Sequence, residues 1–473
     1  MTLKSAFISP IKWCTVFWTA VALTTIALIS AYVPLDKLLL SLVGIVLIAG
    51  VVLHRRGFLY LMLFLAAFEW LIFPKDGAFL YYVFEFVIVA AVVARIFFRG
   101  DVFAVPPKQL FAPIVVFVVW ALFSVIFAID VSNAAVSYIY FLASVAIYLL
   151  SYMLIDSPEA MRKVLTVQMI VSFLLIAAGL YERAVTGSRT VNLGHFNSNV
   201  IGNYAFQASA VALFTIGFLK GRVWRFAALC QLAGLFVVLY LTYSRGAMLA
   251  FLAFGTVYLA SARYKKVLYL GIASACVAAA FIVTSDVFLN YFENISRSLR
   301  LTAGLTMRDD LWWSTVLLIR DYPITGVGIG CIKIVFADYV RLTDPRFVMM
   351  AHTPVLSGNV HNGFLSVLAQ YGIIGFGIVI WAISATVRYL HRIKKVISDF
   401  DTRLLFSFLT ATIAAVLLRS FYEATMAYGA MILSSLFVIP VAGALRLLVD
   451  RCSSDLSNTS RSGRAMPELP NEE

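Results

Sequence analysis

Long apolar segments recur along almost the whole chain and are separated by short polar links. A helix needs about 20 mostly apolar residues to cross the hydrocarbon core of a bilayer, and these segments are of that length. They lack the alternation of apolar and polar residues that a membrane β-barrel requires. The pattern therefore predicts about fourteen membrane-spanning helices, at 12–33, 36–53, 57–73, 78–98, 109–128, 134–155, 164–182, 199–219, 224–242, 246–262, 267–285, 363–387, 404–423 and 429–449.

The predicted fold class is all-α, a polytopic transmembrane helical bundle of about 12–14 spans with one large loop on the outer side. The same pattern divides the chain into five parts. These are N-terminal transmembrane helices (1–160), central transmembrane helices with polar outer loops (161–285), a large loop that contains an amphipathic helix (286–362), C-terminal transmembrane helices (363–449) and a disordered cytoplasmic tail (450–473).

Composition agrees with a membrane protein, since 62% of the residues are hydrophobic and 13% are charged. The formal net charge of +13 would also suit a nucleic-acid-binding protein. Lys and Arg, however, concentrate in the short links on one side of the predicted bundle. Such an excess is typical of the cytoplasmic side of a membrane. We therefore expect both termini in the cytoplasm, membrane lipids around the helices and no nucleic-acid partner.

Function is expected where polar residues exceed what membrane spanning requires. Three outer regions meet this condition, namely 182–203, 242–249 and 286–362. The last of these contains TMRDDLWWSTVLLIRDYP (306–323), whose capping Thr306 and apolar stripe Leu311, Trp312, Thr315, Val316 and Ile319 predict an amphipathic helix. The following ITGVGIG predicts a tight turn. It is a weak candidate for a phosphate-binding loop, because no strand precedes it and no Lys-Ser/Thr follows.

Two arginines stand at positions where a cation needs a partner. Arg308 lies in the first turn of the predicted loop helix, where the helix dipole disfavours positive charge. Neighbouring acids could offset this, or Arg308 and the helix N–H groups could face an anion together. Arg245 lies in a tight turn between two spans and either extends to lipid headgroups or binds an anion. Together the two arginines could hold a phosphate or a diphosphate.

His361 lies at the start of an apolar span in NVHNGFLSVLAQYGIIGFG (359–377). Asn359 is a candidate cap for the helix that opens near Gly363. A helix N-terminus and nearby arginines disfavour the protonated imidazole, and a neutral imidazole can act as a general base. A hydrogen-bonded histidine at the membrane interface, without a catalytic role, is the alternative.

Three motifs in this order, TYSRGAML, MRDDLWW followed by RDYPITGVGIG, and VHNGFLSVLAQYGIIG, make residues 160–450 resemble the O-antigen ligase and polymerase superfamily of bacterial inner membranes. The resemblance implies a GT-C-type glycosyltransferase that inverts the anomeric centre and uses no metal or other cofactor. The donor would be a glycan on undecaprenyl diphosphate at the periplasmic face. The acceptor would be a hydroxyl of lipid A-core or of another lipid-linked glycan.

The resemblance also implies roles for particular residues. Arg245 and Arg308 would hold the diphosphate, and His361 would activate the acceptor hydroxyl, with Asn362 in the same motif. The stretch SRTVNLGHFNSN adds Arg189 and Asn199 as substrate-binding candidates. Relatives commonly have proline before that asparagine, where this chain has Ser198.

Several alternatives stay open at this point. Arg419 and Glu423, four residues apart on a predicted helix, form a structural ion pair or take part in sugar binding or base catalysis. Asp309 and Asp310 could bind Mg²⁺ or Mn²⁺, although no second acidic cluster supplies further ligands. We favour a ligase over a polymerase because the His-Asn motif after a single large loop resembles the ligase branch of the superfamily. A lipid-glycan flippase and a non-catalytic scaffold are the rivals from other classes.

Overall fold

The computed structural model describes residues 56–63, 104–187, 190–191, 198–262, 264, 308–343, 360–397, 399–423 and 431–461. The predicted spans at 12–33, 36–53, 78–98 and 267–285 lie outside these residues, as does most of 57–73. In the described part, eleven longer helices follow one another along the chain: α1 (Lys108–Ile126), α2 (Val131–Leu154), α3 (Pro158–Thr186), α4 (Ser198–Phe218), α5 (Arg222–Leu241), α6 (Arg245–Ser261), α7 (Arg308–Asp321), α8 (Ile332–Thr343), α9 (Gly363–Ile393), α10 (Phe400–Ser420) and α11 (Met431–Arg461).

The all-α membrane bundle predicted from the apolar pattern is confirmed. Within the described residues seven helices, α1 to α5, α9 and α10, are long and apolar enough to cross a membrane, and α6 is a shorter apolar helix. Each begins within a few residues of its predicted span. The exception is α3, which starts at Pro158 instead of 164 because Ser157 caps it by accepting a hydrogen bond from the Ala160 N–H.

Helix α11 continues to Arg461, so the first part of the predicted disordered tail is helical. Arg446 and Asp450 form an ion pair of 2.7 Å one turn apart, and Cys452 is buried. Arg451 reaches Asp399 at the start of α10. These contacts hold the helix against the bundle beyond the apolar span, where composition alone indicated a loose end.

Polar contacts show which helix ends lie together. The end of α9 meets the start of α1 through Arg392 and Gln109, and α11 meets the start of α10 through Arg451 and Asp399. We call this the basic end, because it also carries the link from Lys220 to Arg225 between α4 and α5. The opposite end holds the start of α6, the start of α9 and the end of α10.

Two apolar clusters make up the core. The larger is built mainly from α2 to α6, α10 and α11, and includes the stacked rings of Phe214 and Phe408. The smaller joins α1, α7, α8 and the first half of α9 around Leu318, Val327 and Val367.

Helix α9 is broken at Gly372, which adopts φ 63° and ψ −170°. The break frees backbone groups that must find other partners inside the bundle. The loop after α7 supplies them: Val327 N–H donates to Ala369 O over 2.8 Å, and Ile373 N–H donates to Pro323 O over 2.9 Å. The uninterrupted helix that the apolar pattern predicted over 363–387 is therefore bent at this point.

The glycines of ITGVGIG allow this loop to enter the bundle. Gly326, Gly328 and Gly330 all have positive φ angles. A Cβ at Gly328 would lie 2.4 Å from Ala128 Cβ, and one at Gly330 would lie 2.0 Å from Ser137 Oγ. Close approach of backbone to helix, which only glycine permits, thus explains the three glycines.

We expect Gly372→Ala to destabilise the protein, because a Cβ there would lie 1.9 Å from Ile324 O and because alanine disfavours this backbone conformation. Strain of this kind costs about 1–3 kcal/mol before the clash is counted. Thermal unfolding of the purified protein should show a clearly lower Tm.

The matched control is Gly377→Ala, five residues further along α9, where a Cβ would meet no atom within 4 Å. That variant should unfold at or slightly above the wild-type temperature, since alanine favours helix over glycine. Equal Tm values for the two variants would contradict the proposed role of the break.

Candidate functional site

The carboxylate of Glu423 is the centre of the candidate site. It lies just past the end of α10 and is 9% exposed. Oε1 accepts a hydrogen bond from Arg308 Nη2 over 3.1 Å, and Oε2 lies 3.0 Å from His361 Nδ1. One buried carboxylate therefore connects two residues that lie 53 positions apart in sequence, one at the start of α7 and the other just before α9.

Arg308 begins α7, so the loop helix that the sequence predicted is present and its arginine faces a carboxylate. The buried face of α7 differs slightly from the apolar stripe that the sequence predicted. Ser314, Thr315 and Leu318 are buried, whereas Val316, which the predicted stripe included, is 41% exposed. This rotation packs α7 against α8 and the first half of α9.

His361 has a positive φ of 50°, a conformation that few residues other than glycine adopt. Asn362 caps α9 by accepting from Leu365 N–H over 3.0 Å and also donates to Phe421 O over 3.4 Å. The cap is therefore Asn362; the predicted Asn359 lies outside the described residues. The capped turn, fastened to the end of α10, directs the imidazole at Glu423.

The contact between His361 and Glu423 fixes the orientation of the imidazole. With Nδ1–H donating to the carboxylate, a neutral ring carries its lone pair on Nε2. A carboxylate on one ring nitrogen is the arrangement that prepares the other nitrogen to accept a proton. The side chain is 26% exposed, which leaves room for a substrate to approach the ring.

Glu423 remains ionised in these surroundings. Burial raises the pKa of the carboxyl, but the hydrogen bond to His361 and the charges of His361, Arg419 and Arg308 outweigh burial and hold the pKa below its usual value. Its negative charge is thus kept at neutral pH, beside the guanidinium groups of Arg308 and Arg419.

Arg419 lies one turn before Glu423 and is 3% exposed. The ion pair that sequence spacing suggested between these two residues is replaced, because the Glu423 oxygens meet Arg308 and His361 instead. Arg419 Nε and Nη1 have no hydrogen-bond partner among the described residues. Buried guanidinium donors are rarely left unsatisfied, so Arg419 is suited to receive an anionic group.

Arg245 reaches the same end of the bundle as the first residue of α6. The next residue, Gly246, packs against Tyr422, since a Cβ there would lie 3.4 Å from Tyr422 Cβ. Tyr243, two positions before Arg245, has a φ of 51° and turns the chain sharply between α5 and α6. Arg245 therefore enters the bundle beside the segment that carries Glu423.

Asn199 lies half-buried in the first turn of α4. One turn later, Gly202 packs against Ser244, next to Arg245, with room for no Cβ. Arg189 lies outside the described residues, but Val191 N–H donates to Leu241 O at the end of α5. The polar loop after α3 thus returns to the end of the bundle that carries the other candidates.

Hydrogen bonds within the protein argue against a phosphate site at the glycine-rich loop. The N–H groups from 327 to 331 are already bonded: Val327 to Ala369 O, Gly328 to Gln370 O, Ile329 to Ser124 Oγ, Gly330 to Gln370 Oε1 and Cys331 to Gly328 O. Two of the acceptors, Ala369 O and Gln370 O, lie just before the break in α9. These two carbonyl groups therefore bond to the loop, whereas in the broken helices of transporters such groups bind a substrate or ion.

Metal ligands do not gather in the described part of the chain, where no group of three or more His, Cys, Asp or Glu side chains could hold an ion. The side chains of Asp309 and Asp310, the pair considered from the sequence, are not among those described. The cationic groups around Glu423 are thus the described source of positive charge at this end of the bundle.

Comparison with known proteins identifies part of the chain. Residues 226–380 match the family model Wzy_C, described as O-antigen ligase. These residues are therefore similar to O-antigen ligases. No curated protein gives a significant match to the chain.

The O-antigen ligase match includes Arg245, Arg308 and His361, three of the residues that the sequence resemblance singled out. It implies a glycosyltransferase-like membrane enzyme whose substrates are lipid-linked glycans in general. Glu423 and Arg419 lie beyond the matched residues. The acid that contacts His361 and Arg308 therefore lies outside the matched residues, just past the end of α10.

Gln370 is a structural residue that the sequence analysis missed. It is 1% exposed, its Oε1 accepts from Gly330 N–H over 2.8 Å, and its Nε2 donates to Ser366 O over 3.3 Å. An amide inside an apolar span was the signal available, because such residues are rare in membrane helices and face partners within the bundle.

The pH dependence of stability tests the assignment of Glu423. A carboxyl group whose pKa is lower in the folded than in the unfolded protein stabilises the fold. This stabilisation is complete above the pKa of the unfolded state and is lost as the pH falls through the pKa of the folded state. The Tm difference between wild type and Glu423→Gln should therefore be largest at neutral pH and shrink below the ordinary value of 4.5.

Glu159→Gln is the control, because Glu159 forms an exposed ion pair with Lys163 at the basic end. Exposed pairs contribute little to stability, so this substitution should barely change the Tm at any pH. A Glu423→Gln difference that stays constant across the acid range would contradict an ionised Glu423.

Proposed function

We propose that the protein is an inverting, metal-independent glycosyltransferase that transfers a saccharide from undecaprenyl diphosphate to a hydroxyl of lipid A-core. The observation that carries this proposal is the contact of one buried carboxylate, Glu423, with both His361 and Arg308. A candidate base and a candidate anion-binding cation are thereby held at one place. The O-antigen ligase match at residues 226–380 supports the substrate class.

His361 acts as the general base in this proposal. Glu423 accepts a hydrogen bond from Nδ1–H of the imidazole, which leaves the lone pair on Nε2. Nε2 then takes the proton from the acceptor hydroxyl as the hydroxyl oxygen attacks the anomeric carbon. The bond from that carbon to the diphosphate oxygen breaks on the opposite side, and the configuration inverts. The proton thus moves to His361, and the electron pair of the broken bond leaves with the diphosphate.

Arginines stabilise the departing diphosphate. Arg245, Arg308 and Arg419 all lie at the end of the bundle opposite the basic end. Guanidinium groups can make paired hydrogen bonds to phosphate oxygens. Arg419 contributes two buried donors without acceptors among the described residues. Positive charge fixed in a buried site stabilises developing negative charge without a metal. Asn199, Asn362 and Arg189 are the further substrate-binding candidates in this proposal.

In this proposal the site lies at the periplasmic face of the bacterial inner membrane. Lys and Arg concentrate at the basic end, which we assign to the cytoplasm together with both termini. The candidate site lies at the opposite end of the same helices. A lipid-linked donor that has already crossed the membrane would meet it there.

A polymerase that joins lipid-linked O-antigen or exopolysaccharide repeat units is the second candidate. The same motifs and the same family match fit this reaction, because donor and base are common to both and only the acceptor differs. A flippase is less well supported, since backbone groups beside the break in α9 form hydrogen bonds with the segment that contains the glycine-rich loop.

Reconstituted transfer with a defined lipid-linked donor tests the site. We expect His361→Ala to lower the rate about 10²–10⁴-fold, the usual contribution of a general base. Arg308→Ala should lower it about 10²–10³-fold, because a donor to the developing charge is lost. Product formation is followed by separation of labelled glycan from the lipid carrier.

Two substitutions of the same residue types serve as controls. His391 lies exposed at the basic end, and Arg320 lies exposed at the far end of α7. Replacement of either by Ala should leave the rate near wild type. The site assignment fails if His361→Ala and Arg308→Ala are as active as these controls. Loss of wild-type transfer in excess EDTA would contradict the metal-independent chemistry.

A deletion strain separates the ligase from the polymerase. If the protein is a ligase, polymerised glycan should accumulate on the lipid carrier, because polymerisation continues and transfer to lipid A-core stops. Extracted lipid-linked glycans are sized by gel electrophoresis and mass spectrometry. Accumulation of single repeat units would instead identify the polymerase.

A further inference from the structure

A cavity of about 470 Å³ lies at the basic end, between the start of α3 and the start of α5. Its lining includes Tyr60, Arg162, Lys163, Lys220 and Trp224. The candidate transfer site is at the opposite end of these helices, so the cavity belongs to a separate part of the molecule. Its volume suits a small polar group rather than a whole lipid.

The charges around this cavity are unbalanced. Three cationic side chains, Arg162, Lys163 and Lys220, line it together with one carboxylate, Glu159. Glu159 already pairs with Lys163 over 2.8 Å. Arg162 and Lys220 form no ion pair within the described residues. By contrast, Arg56 close by is neutralised by Asp156. The cavity therefore favours a group with negative charge.

An apolar track leads away from the cavity along α3. Lys163, Val167, Ile170 and Leu174 follow one another at helical spacing on a single face. Ile170 is 55% exposed and Leu174 is 43% exposed. A ligand with its charge at Lys163 could thus lay a hydrocarbon chain along this face.

Aromatic residues mark the depth of the cavity in the membrane. Trp224 is 45% exposed, and Tyr60, which also lines the cavity, lies half-buried. Tryptophan and tyrosine concentrate at the level of lipid headgroups, where an apolar ring and a polar group are both accommodated. The cavity therefore lies where the phosphates of one leaflet are found.

We propose that this cavity binds the phosphate headgroup of an anionic phospholipid, with Arg162 and Lys220 on the phosphate and an acyl chain along Val167, Ile170 and Leu174. Basic pockets between membrane helices on the cytoplasmic side are suited to such headgroups. A free phosphate would use the same cations but not the apolar face. The bound lipid would tie α3 to α5, two helices of the larger core cluster.

Native mass spectrometry and thermal unfolding of the full chain test this proposal. Purified protein is exchanged into detergent with phosphatidylglycerol, with phosphatidylcholine or with inorganic phosphate. We expect retained phosphatidylglycerol and a raised Tm, with neither effect from the other two additions. The double variant Arg162→Gln/Lys220→Gln should lose the retained lipid and the Tm increase.

The matched control is Arg388→Gln/Lys395→Gln, which removes the same charge from exposed positions near the basic end but outside the cavity. It should retain the lipid as wild type does. Equal loss in both double variants would show a general effect of surface charge and overturn the site. An equal Tm increase from inorganic phosphate, or from phosphatidylcholine, would overturn the anionic-lipid occupant.

Discussion

The contact of Glu423 with Arg308 and His361 is the interaction on which the candidate site depends. It joins the end of α10, in the larger core cluster, to the start of α7 and the turn before α9, which belong to the smaller one. The guanidinium of Arg308 balances the charge of this buried carboxylate, and loss of Arg308 would leave a charge that burial penalises. The positions of the candidate base and of the candidate anion-binding cation are therefore not independent.

This contact rests on hydrogen bonds between the break in α9 and the glycine-rich loop. Val327 and Gly328 N–H donate to Ala369 O and Gln370 O, and Ile373 N–H donates to Pro323 O, which gives backbone groups freed by the break partners inside the bundle. Gln370 and Ser124 complete the exchange with side-chain bonds to Gly330 N–H and Ile329 N–H. The glycine-rich loop holds the C-terminal end of α7 against α9. Arg308, at the N-terminal end of α7, is thereby held beside Glu423.

Local strain lies at or next to two of the candidate site residues. Among the described residues other than glycine, only Tyr243 and His361 have positive φ angles. The first lies two positions before Arg245, and the second is the candidate base. Each conformation costs about 1–3 kcal/mol and persists only where the surroundings enforce it. At His361 the Asn362 cap and the Glu423 contact provide that enforcement.

Sequence alone determined the membrane bundle, because spans depend on the local run of apolar residues, and it also indicated Arg245, Arg308 and His361 through short motifs. The helix through 308–321 followed from periodicity in the same way. The tertiary structure decided the rest. The bond between Arg308 and Glu423 spans 115 positions, the cap at Asn362 depends on Phe421, and the bend at Gly372 depends on the loop at 323–330. Apolar pattern and spacing describe neighbours within a few turns, whereas these contacts follow from how distant helices pack.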